Sequence, residues 1–413
     1  MRKLFDGIAG GNRGAVRTAL ATAFLVAGLG FIAGGTDNQI PVAFIVAVVG
    51  AFCGLLFIRS RSRVEDVQFL CAIFLLGITL RCIIALVNHY LLPAGSFALD
   101  DGRYNEVGQQ LVSYWKGTGG YPVYIAHSDQ VGWFYVNGAI YWLWGFVPLV
   151  PAFLNCVIGP LCSLYVFYLC REVFDRPTAV WASLFAMFFP SLMLWSSINL
   201  KDALTTFAIV MVLWHTLMLQ RHMSLGRFAV LLGFMTLLGT LRSYLFVLTG
   251  VSLVGSLMLG RLGVSFRGLA LALLLMLGFV GLYQEYGFGS DIVENQGLAT
   301  VNEMREGMAS GGSAYGMEHE IASPIAAIAY LPIGLSYFLL APAPWQIFNL
   351  RQALTFPEML LWYCLLPAIW QGIRYALRTN FRAAATLLSF ATVLTVAYAM
   401  VETNLGTAYR HRA

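Results

Sequence analysis

Five consecutive residues, Asp100-Asp101-Gly102-Arg103-Tyr104, carry the strongest local signal for chemistry in the chain. Paired carboxylates are candidates for general acid–base work. Adjacent carboxylates also raise one another's pKa and are expected to titrate as a coupled pair. Aspartate is equally a good helix N-cap, so a purely structural use of the pair stays open. A cap needs only one carboxylate, however, which leaves the second to explain. The following residues have helical spacing, with Tyr104, Val107, Leu111, Val112 and Trp115 on one face and Gly117, Gly119, Gly120 and Pro122 ending the helix.

Four basic residues could serve as fixed cations for an anionic group. Lys201-Asp202 follows Trp195-Ser196-Ser197 and reads either as a phosphate contact or as an ordinary helix-end ion pair. Arg242-Ser243-Tyr244 interrupts a mostly apolar stretch, and Arg242 reads as a phosphate grip or as a head-group anchor. The tail from Glu402 to Arg412 supplies Arg410 and Arg412, either as an external phosphate clamp or as an internal C-terminus. Gly311-Gly312-Ser313 reads as a substrate-gating flap or a plain linker. His127 and His319 stand alone, and no His/Asp/Glu spacing suits a metal, so no metal is expected. There is no Gly-Lys-Ser/Thr phosphate loop, which argues against nucleotide-driven transport.

The elements that must position these residues are set by composition. The chain has 413 residues, 59% hydrophobic and 11% charged, with a mean hydropathy of +0.73. A soluble domain carries about 25% charged residues, so lipid must be most of this chain's solvent. That excludes a disordered chain, a secreted disulfide scaffold and a cytosolic enzyme. The net charge of +5 is scattered between apolar runs and does not point to nucleic acid. All seven cysteines fall inside apolar segments and read as small core hydrophobes. Met1 to Arg17 is basic, precedes an apolar run and reads as a retained signal anchor.

A single all-α domain over residues 1–413 is expected, a polytopic bundle of about 11–13 apolar segments with interfacial helices in its external loops. The segments are Ala15–Gly35, Pro41–Ile58, Gln68–Leu92, Gly132–Val147, Ala152–Cys170, Thr178–Ser197, Ala203–Gln220, Phe228–Leu241, Tyr244–Gly260, Gly268–Tyr286, Ile325–Trp345, Glu358–Ile373 and Ala383–Val401. They group as three N-terminal spans (1–92), external loop 1 (93–131), central spans (132–286), external loop 2 (287–324) and C-terminal spans with the tail (325–413).

Arginine clusters at positions 59–63, 221–227, 261–267 and 374–382 mark the cytoplasmic side, which places both long loops outside. The helix after Asp100 is then expected to lie in the interface plane. Parity asks for two segments that do not cross. Gly132–Val147 and the run broken by Pro332, Pro342 and Pro344 are the candidates. Two arginine clusters of equal sidedness flank Arg242, so it should sit at the outer turn of a hairpin. Its arms of about 14–17 residues, roughly 21–26 Å, fall short of the ~30 Å hydrocarbon core and would recess the turn.

On these residues the chain resembles the GT-C superfamily of integral-membrane glycosyltransferases, closest to its protein-mannosyltransferase, arabinose-transferase and Rgt-like group. The resemblance rests on Asp100-Asp101-Gly102-Arg103-Tyr104, Tyr121-Pro122, Cys170-Arg171-Glu172-Val173-Phe174, Phe189-Pro190-Ser191 and Leu200-Lys201-Asp202, covering roughly residues 98–220. Two spans precede the one leading to the acidic pair, where the family usually has one. The resemblance implies transfer of a sugar from a polyprenyl-phosphate carrier to an envelope lipid or glycan acceptor, on the outer face of a bacterial inner membrane. No cofactor is implied beyond that lipid-linked donor, and the implied partners are membrane lipid, donor and acceptor.

Asp100 matches the family's base position, with Asp101 beside it. Arg103, Tyr104, Lys201, Asp202, Arg242, Tyr244, Arg410 and Arg412 are expected to bind substrate. The alternative is a polymerase or ligase of lipid-linked oligosaccharides. A non-enzymatic flippase or transporter would want mid-span ionisable residues and an internal repeat, and neither is read here.

Overall fold

A computed structural model describes residues 39–93, 95, 97–98, 100–126, 128, 130–260, 273–278, 280–282, 298–309, 315, 321–343 and 350–412. The protein is all-α, with no strand among the described residues. Five helices are long and apolar enough to cross a membrane: Gln39–Arg61, Val64–Tyr90, Leu149–Val173, Asp202–Arg221 and Phe381–Val401. This is a membrane protein, as its composition requires. The chain divides into two compact units, Met1–Val210 and Met211–Ala413, where the sequence suggested one domain. Outside the described residues lie the N-terminal anchor, the segment Ala15–Gly35, His127, His319, the Gly311-Gly312-Ser313 flap and most of external loop 2.

The first unit contains α1 (Gln39–Arg61), α2 (Val64–Tyr90), α3 (Asp100–Trp115), α4 (Gly132–Trp144), α5 (Leu149–Val173), α6 (Arg176–Phe188) and the start of α7 (Asp202–Arg221). Its centre is α5, which packs on α1, α2 and α6 through residues such as Phe153, Cys156, Leu164 and Phe167. The break between α5 and α6 is made by Phe174 and by Asp175, whose carboxylate accepts from the Thr178 N–H at 2.9 Å and so caps α6. α4 has only 13 residues, about 20 Å, shorter than the ~30 Å hydrocarbon core.

The expected span Thr178–Ser197 is corrected. α6 stops at Phe188, Phe189 is extended, and a short helix Pro190–Trp195 follows. Proline has no N–H to continue the ladder and pushes the residue before it out of the helical region. The broken end is held by Arg81, which lies inside α2 and is buried. Arg81 donates from Nη2 to the Met187 carbonyl at 2.9 Å and from Nε to Ser196 Oγ at 2.7 Å. Gly159 makes room for this contact, because a Cβ there would lie 2.8 Å from Ser196 Oγ and 2.9 Å from Arg81 Nε. The expectation that no ionisable residue sits in mid-span therefore fails at Arg81. Its role in the fold is to cap a broken helix.

The second unit contains α8 (Leu225–Leu241), α9 (Ser243–Leu259), an apolar helix Leu273–Leu282, α10 (Leu298–Met308), α11 (Pro324–Leu340), α12 (Leu350–Thr379), α13 (Phe381–Val401) and α14 (Leu405–Arg412). α13 packs on α9 and α11. Gln220 donates to Ser256 Oγ at 2.9 Å, and Ser256 bonds Thr386 Oγ1 at 2.7 Å, tying the end of α7 to α9 and α13. As expected, the helix breaks at Arg242, leaving arms of 17 residues each. Pro332 does not break α11 as the sequence suggested. The helix runs through it and ends at Leu340, ahead of Pro342.

Candidate functional site

The acidic pair opens α3, and its two carboxylates have different surroundings. Asp100 is partly exposed, with Oδ1 4.0 Å from Arg103 Nη1. Asp101 is half-buried and accepts from Asn105 Nδ2, one helical turn on, at 3.2 Å. Burial pushes its carboxyl up to about 6, although the Asn105 bond acts in the opposite direction. Desolvation is thus the cause of the shift, in place of the mutual repulsion expected from the sequence.

Behind Asn105 is a set of buried amides. Its Oδ1 accepts from the Tyr141 hydroxyl at 2.6 Å and from Asn199 Nδ2 at 2.7 Å. Asn199 Nδ2 also reaches Asn137 Oδ1 at 2.8 Å, and its Oδ1 accepts from Trp133 Nε1 at 2.8 Å. Asn137 closes the set by donating to the Trp133 carbonyl at 2.8 Å. Asn137, Asn199 and Trp133 are almost wholly buried. α3 and α4 approach closely at Gly108, where a Cβ would lie 2.9 Å from the Asn137 Cβ. The Tyr141 phenol is raised by burial and by the Asp101 charge, so it stays protonated and donates.

Asn199 lies in the buried, non-helical link between the Pro190–Trp195 helix and α7. Asn155 holds that link by donating to the Ile198 and Leu200 carbonyls at 2.8 and 2.7 Å. Irregular backbone of this kind persists in an apolar setting only when its polar groups are paired internally. The link delivers Lys201, half-buried and bonded to Gln130 Oε1, to the N-terminal end of α7. Asp202 is the first residue of that helix, where a carboxylate complements the helix dipole.

Other expected residues are used differently. Tyr104 is buried, its ring 4.9 Å from Phe134 in the α3–α4 seam, so it packs and does not face a substrate. α3 buries Tyr104, Val107, Gly108, Leu111 and Val112, while Trp115 is 41% exposed and leaves the expected face. Much of that face is covered by α4, so protein takes the place that lipid was expected to fill. Arg103 is exposed, donates to the Tyr124 hydroxyl at 3.1 Å and lies over that ring.

Of the expected residues of the second unit, Arg242 and Tyr244 come together in one cluster. Arg242, the buried residue between α8 and α9, donates from Nη1 to the Tyr244 hydroxyl at 2.6 Å. The same nitrogen is 3.1 Å from His411 Nε2. Guanidinium can only donate, so His411 Nε2 must accept, and the imidazole proton sits on Nδ1. That proton faces Glu402 Oε2 at 2.7 Å, and Glu402 also accepts from Thr407. Tyr398 stacks on His411 with centroids 4.7 Å apart and meets the Tyr244 hydroxyl at 3.1 Å.

Arg412 donates from Nη1 to the Leu339 carbonyl at 2.9 Å and from Nη2 to the Ala341 carbonyl at 2.5 Å, capping α11. This corrects its reading as a phosphate clamp, because its fork is turned onto backbone. Arg410 is half-buried at the end of α14. Asn105, Asn137, Tyr141, Asn199, Glu402 and His411 were not among the residues expected to act. Apart from Asn105, which lies in the amphipathic α3, their signal was a polar side chain within or beside an apolar run.

Comparison with known proteins returned nothing similar: no family model, no curated protein and no solved structure matches the chain.

Proposed function

We propose that the protein is a membrane glycosyltransferase that moves a sugar from a polyprenyl-phosphate carrier to a hydroxyl acceptor, with Asp101 as general base. One observation carries this reading: a half-buried carboxyl with a pKa of about 6, oriented by Asn105, at the head of α3. A base of that strength is largely ionised at neutral pH yet still basic enough to take a proton from a hydroxyl as it attacks. The resemblance at Asp100-Asp101 points to the same pair. Burial moves the role from Asp100, the position that the resemblance favours, to its neighbour.

The acceptor oxygen attacks the anomeric carbon from the face opposite the phosphate, and its proton passes to the Asp101 carboxylate. The bond from the anomeric carbon to the phosphate oxygen breaks, and its electron pair leaves with the phosphate, inverting configuration. Lys201, at the N-terminal end of α7, offers fixed positive charge to that oxygen, and the helix end adds to it. The distribution of basic clusters supports an extracytoplasmic site, and a bacterial inner membrane is what the resemblance implies.

The test is transfer from a labelled polyprenyl-phosphate sugar by the purified protein. Asp101→Asn should lower turnover by about 10²–10⁴ while Asp100→Asn stays within a few-fold of the parent. Full activity in Asp101→Asn would remove it as the base.

A further inference from the structure

The amide set behind Asp101 has a polarity, and two atoms of Trp133 fix it. An indole Nε1 can only donate a hydrogen bond, and a backbone carbonyl can only accept one. Trp133 Nε1 meets Asn199 at 2.8 Å, so the atom of Asn199 that faces it must be Oδ1. Asn199 Nδ2 is thereby turned to Asn105 at 2.7 Å and to Asn137 at 2.8 Å, and both must offer oxygen to it. At Asn137 the same result comes from the other end, because the Trp133 carbonyl holds its Nδ2 at 2.8 Å. The Tyr141 hydroxyl brings a second donor to Asn105 Oδ1 at 2.6 Å. With its oxygen held by two donors, Asn105 turns Nδ2 to Asp101, 3.2 Å away.

We propose that Trp133 is a positioning residue for Asp101, acting through Asn199 and Asn105 to keep an N–H, and never an amide oxygen, against the carboxylate. An amide turned end for end has nearly the same shape and the opposite polarity. An N–H beside the carboxyl favours its ionised form, whereas an amide oxygen in that place favours the acid, which can donate to it. Packing alone does not choose between the two orientations; a donor-only group at the far end does. Trp133 is wholly buried in the first turn of α4, two hydrogen-bonded amides away from Asp101. Of the titratable groups near the carboxyl, Tyr141 of α4 stays protonated, Asp100 and Arg103 are its charged neighbours on α3, and Lys201 ends the link that carries Asn199. Burial and the Asn105 bond are what act on Asp101 itself. The consequence for sugar transfer rests on the function proposed above. The orientation of Asn105 does not.

The ionisation of Asp101 can be followed apart from any reaction. Infrared titration of the purified full-length protein carrying isotope-labelled aspartate does so, with the Asp101 band assigned by its loss in Asp101→Asn. Trp133→Phe keeps an aromatic ring and removes the indole donor, and Tyr141→Phe removes the hydroxyl donor. Together they should raise the Asp101 midpoint by about half a pH unit or more, because Asn105 is then able to turn. Tyr141→Phe alone leaves the buried indole in place and should move the midpoint the same way by less, a gentler variant that keeps the test open if the double one fails to fold. In an Asn105→Ala background the same substitutions should leave the midpoint where it is, since no amide remains to turn. A role in packing alone would act equally in both backgrounds. Equal shifts with and without Asn105, or no shift in any of these variants, would overturn the proposal. The expected titration, with an acid limb of sugar transfer that fails to follow it, would count against Asp101 as the base and leave the positioning role standing.

Discussion

Around Asp101 the buried partners are neutral amides, an indole and a phenol, whereas around Arg242 they run carboxylate, imidazole, guanidinium. Both units bury polar groups in a chain that is mostly apolar, and they satisfy them by opposite means. An amide network adds no charge, so burial acts on the one carboxylate it surrounds and makes it a stronger base. The chain through His411 sets a carboxylate against a guanidinium and fixes which imidazole nitrogen bears the proton. The first arrangement is the one proposed above to accept a proton.

The comparison can be broken by substitution, and the largest effect should come from the neutral network. Asn199→Leu strands Trp133 Nε1, at about 1–3 kcal/mol for a buried group left without a partner, and leaves Asn105 Oδ1 and Asn137 Oδ1 with the Tyr141 hydroxyl alone to serve both. Thermal melting in detergent should show a loss of several degrees. Glu402→Gln keeps an acceptor for His411 Nδ1 but removes the charge from that bond, and should cost less, about 1–2 kcal/mol. A larger loss for Glu402→Gln than for Asn199→Leu would reverse the account of the two units. Arg103→Ala should change stability by less than about 0.5 kcal/mol, because its contact with Asp100 is long and exposed.

A further prediction concerns Asp101 itself. Its folded pKa, about 6, is above the ordinary 3.8, so the folded state binds that proton more tightly than the unfolded chain. Its stabilising contribution is therefore present below about pH 4 and lost as pH rises through about 6. At pH 7 the ionised carboxylate is a net cost. Asp101→Asn should accordingly melt no lower than the parent at pH 7 while losing transfer, and equal melting curves at pH 4 and pH 7 in the parent would contradict this.

The helix from Asp100 to Trp115 could be read from its apolar spacing and its glycine stop, and the break at Arg242 from one charged residue in an apolar stretch. Both signals are local. The amide network was not legible in this way, because Asn105, Asn137 and Asn199 come from α3, α4 and an irregular link that meet only in the fold. Arg81 was passed over because the run around it is apolar enough to read as an ordinary span. The carbonyl it caps exists only because Pro190 breaks a helix about a hundred residues later. The resemblance favoured Asp100, and the burial that distinguishes Asp101 is not legible in the spacing.

The most direct measurement is the rate of sugar transfer against pH, from about 4.5 to 8, in the parent and in Asn105→Ala. The base must be ionised, so the parent rate should rise with pH through a midpoint of about 6. Removing the Asn105 N–H takes away the one hydrogen bond that favours the carboxylate, so the Asn105→Ala midpoint should move higher. An acid limb that stays in place in Asn105→Ala, or that persists at full rate in Asp101→Asn, would contradict the assignment of Asp101 as the base.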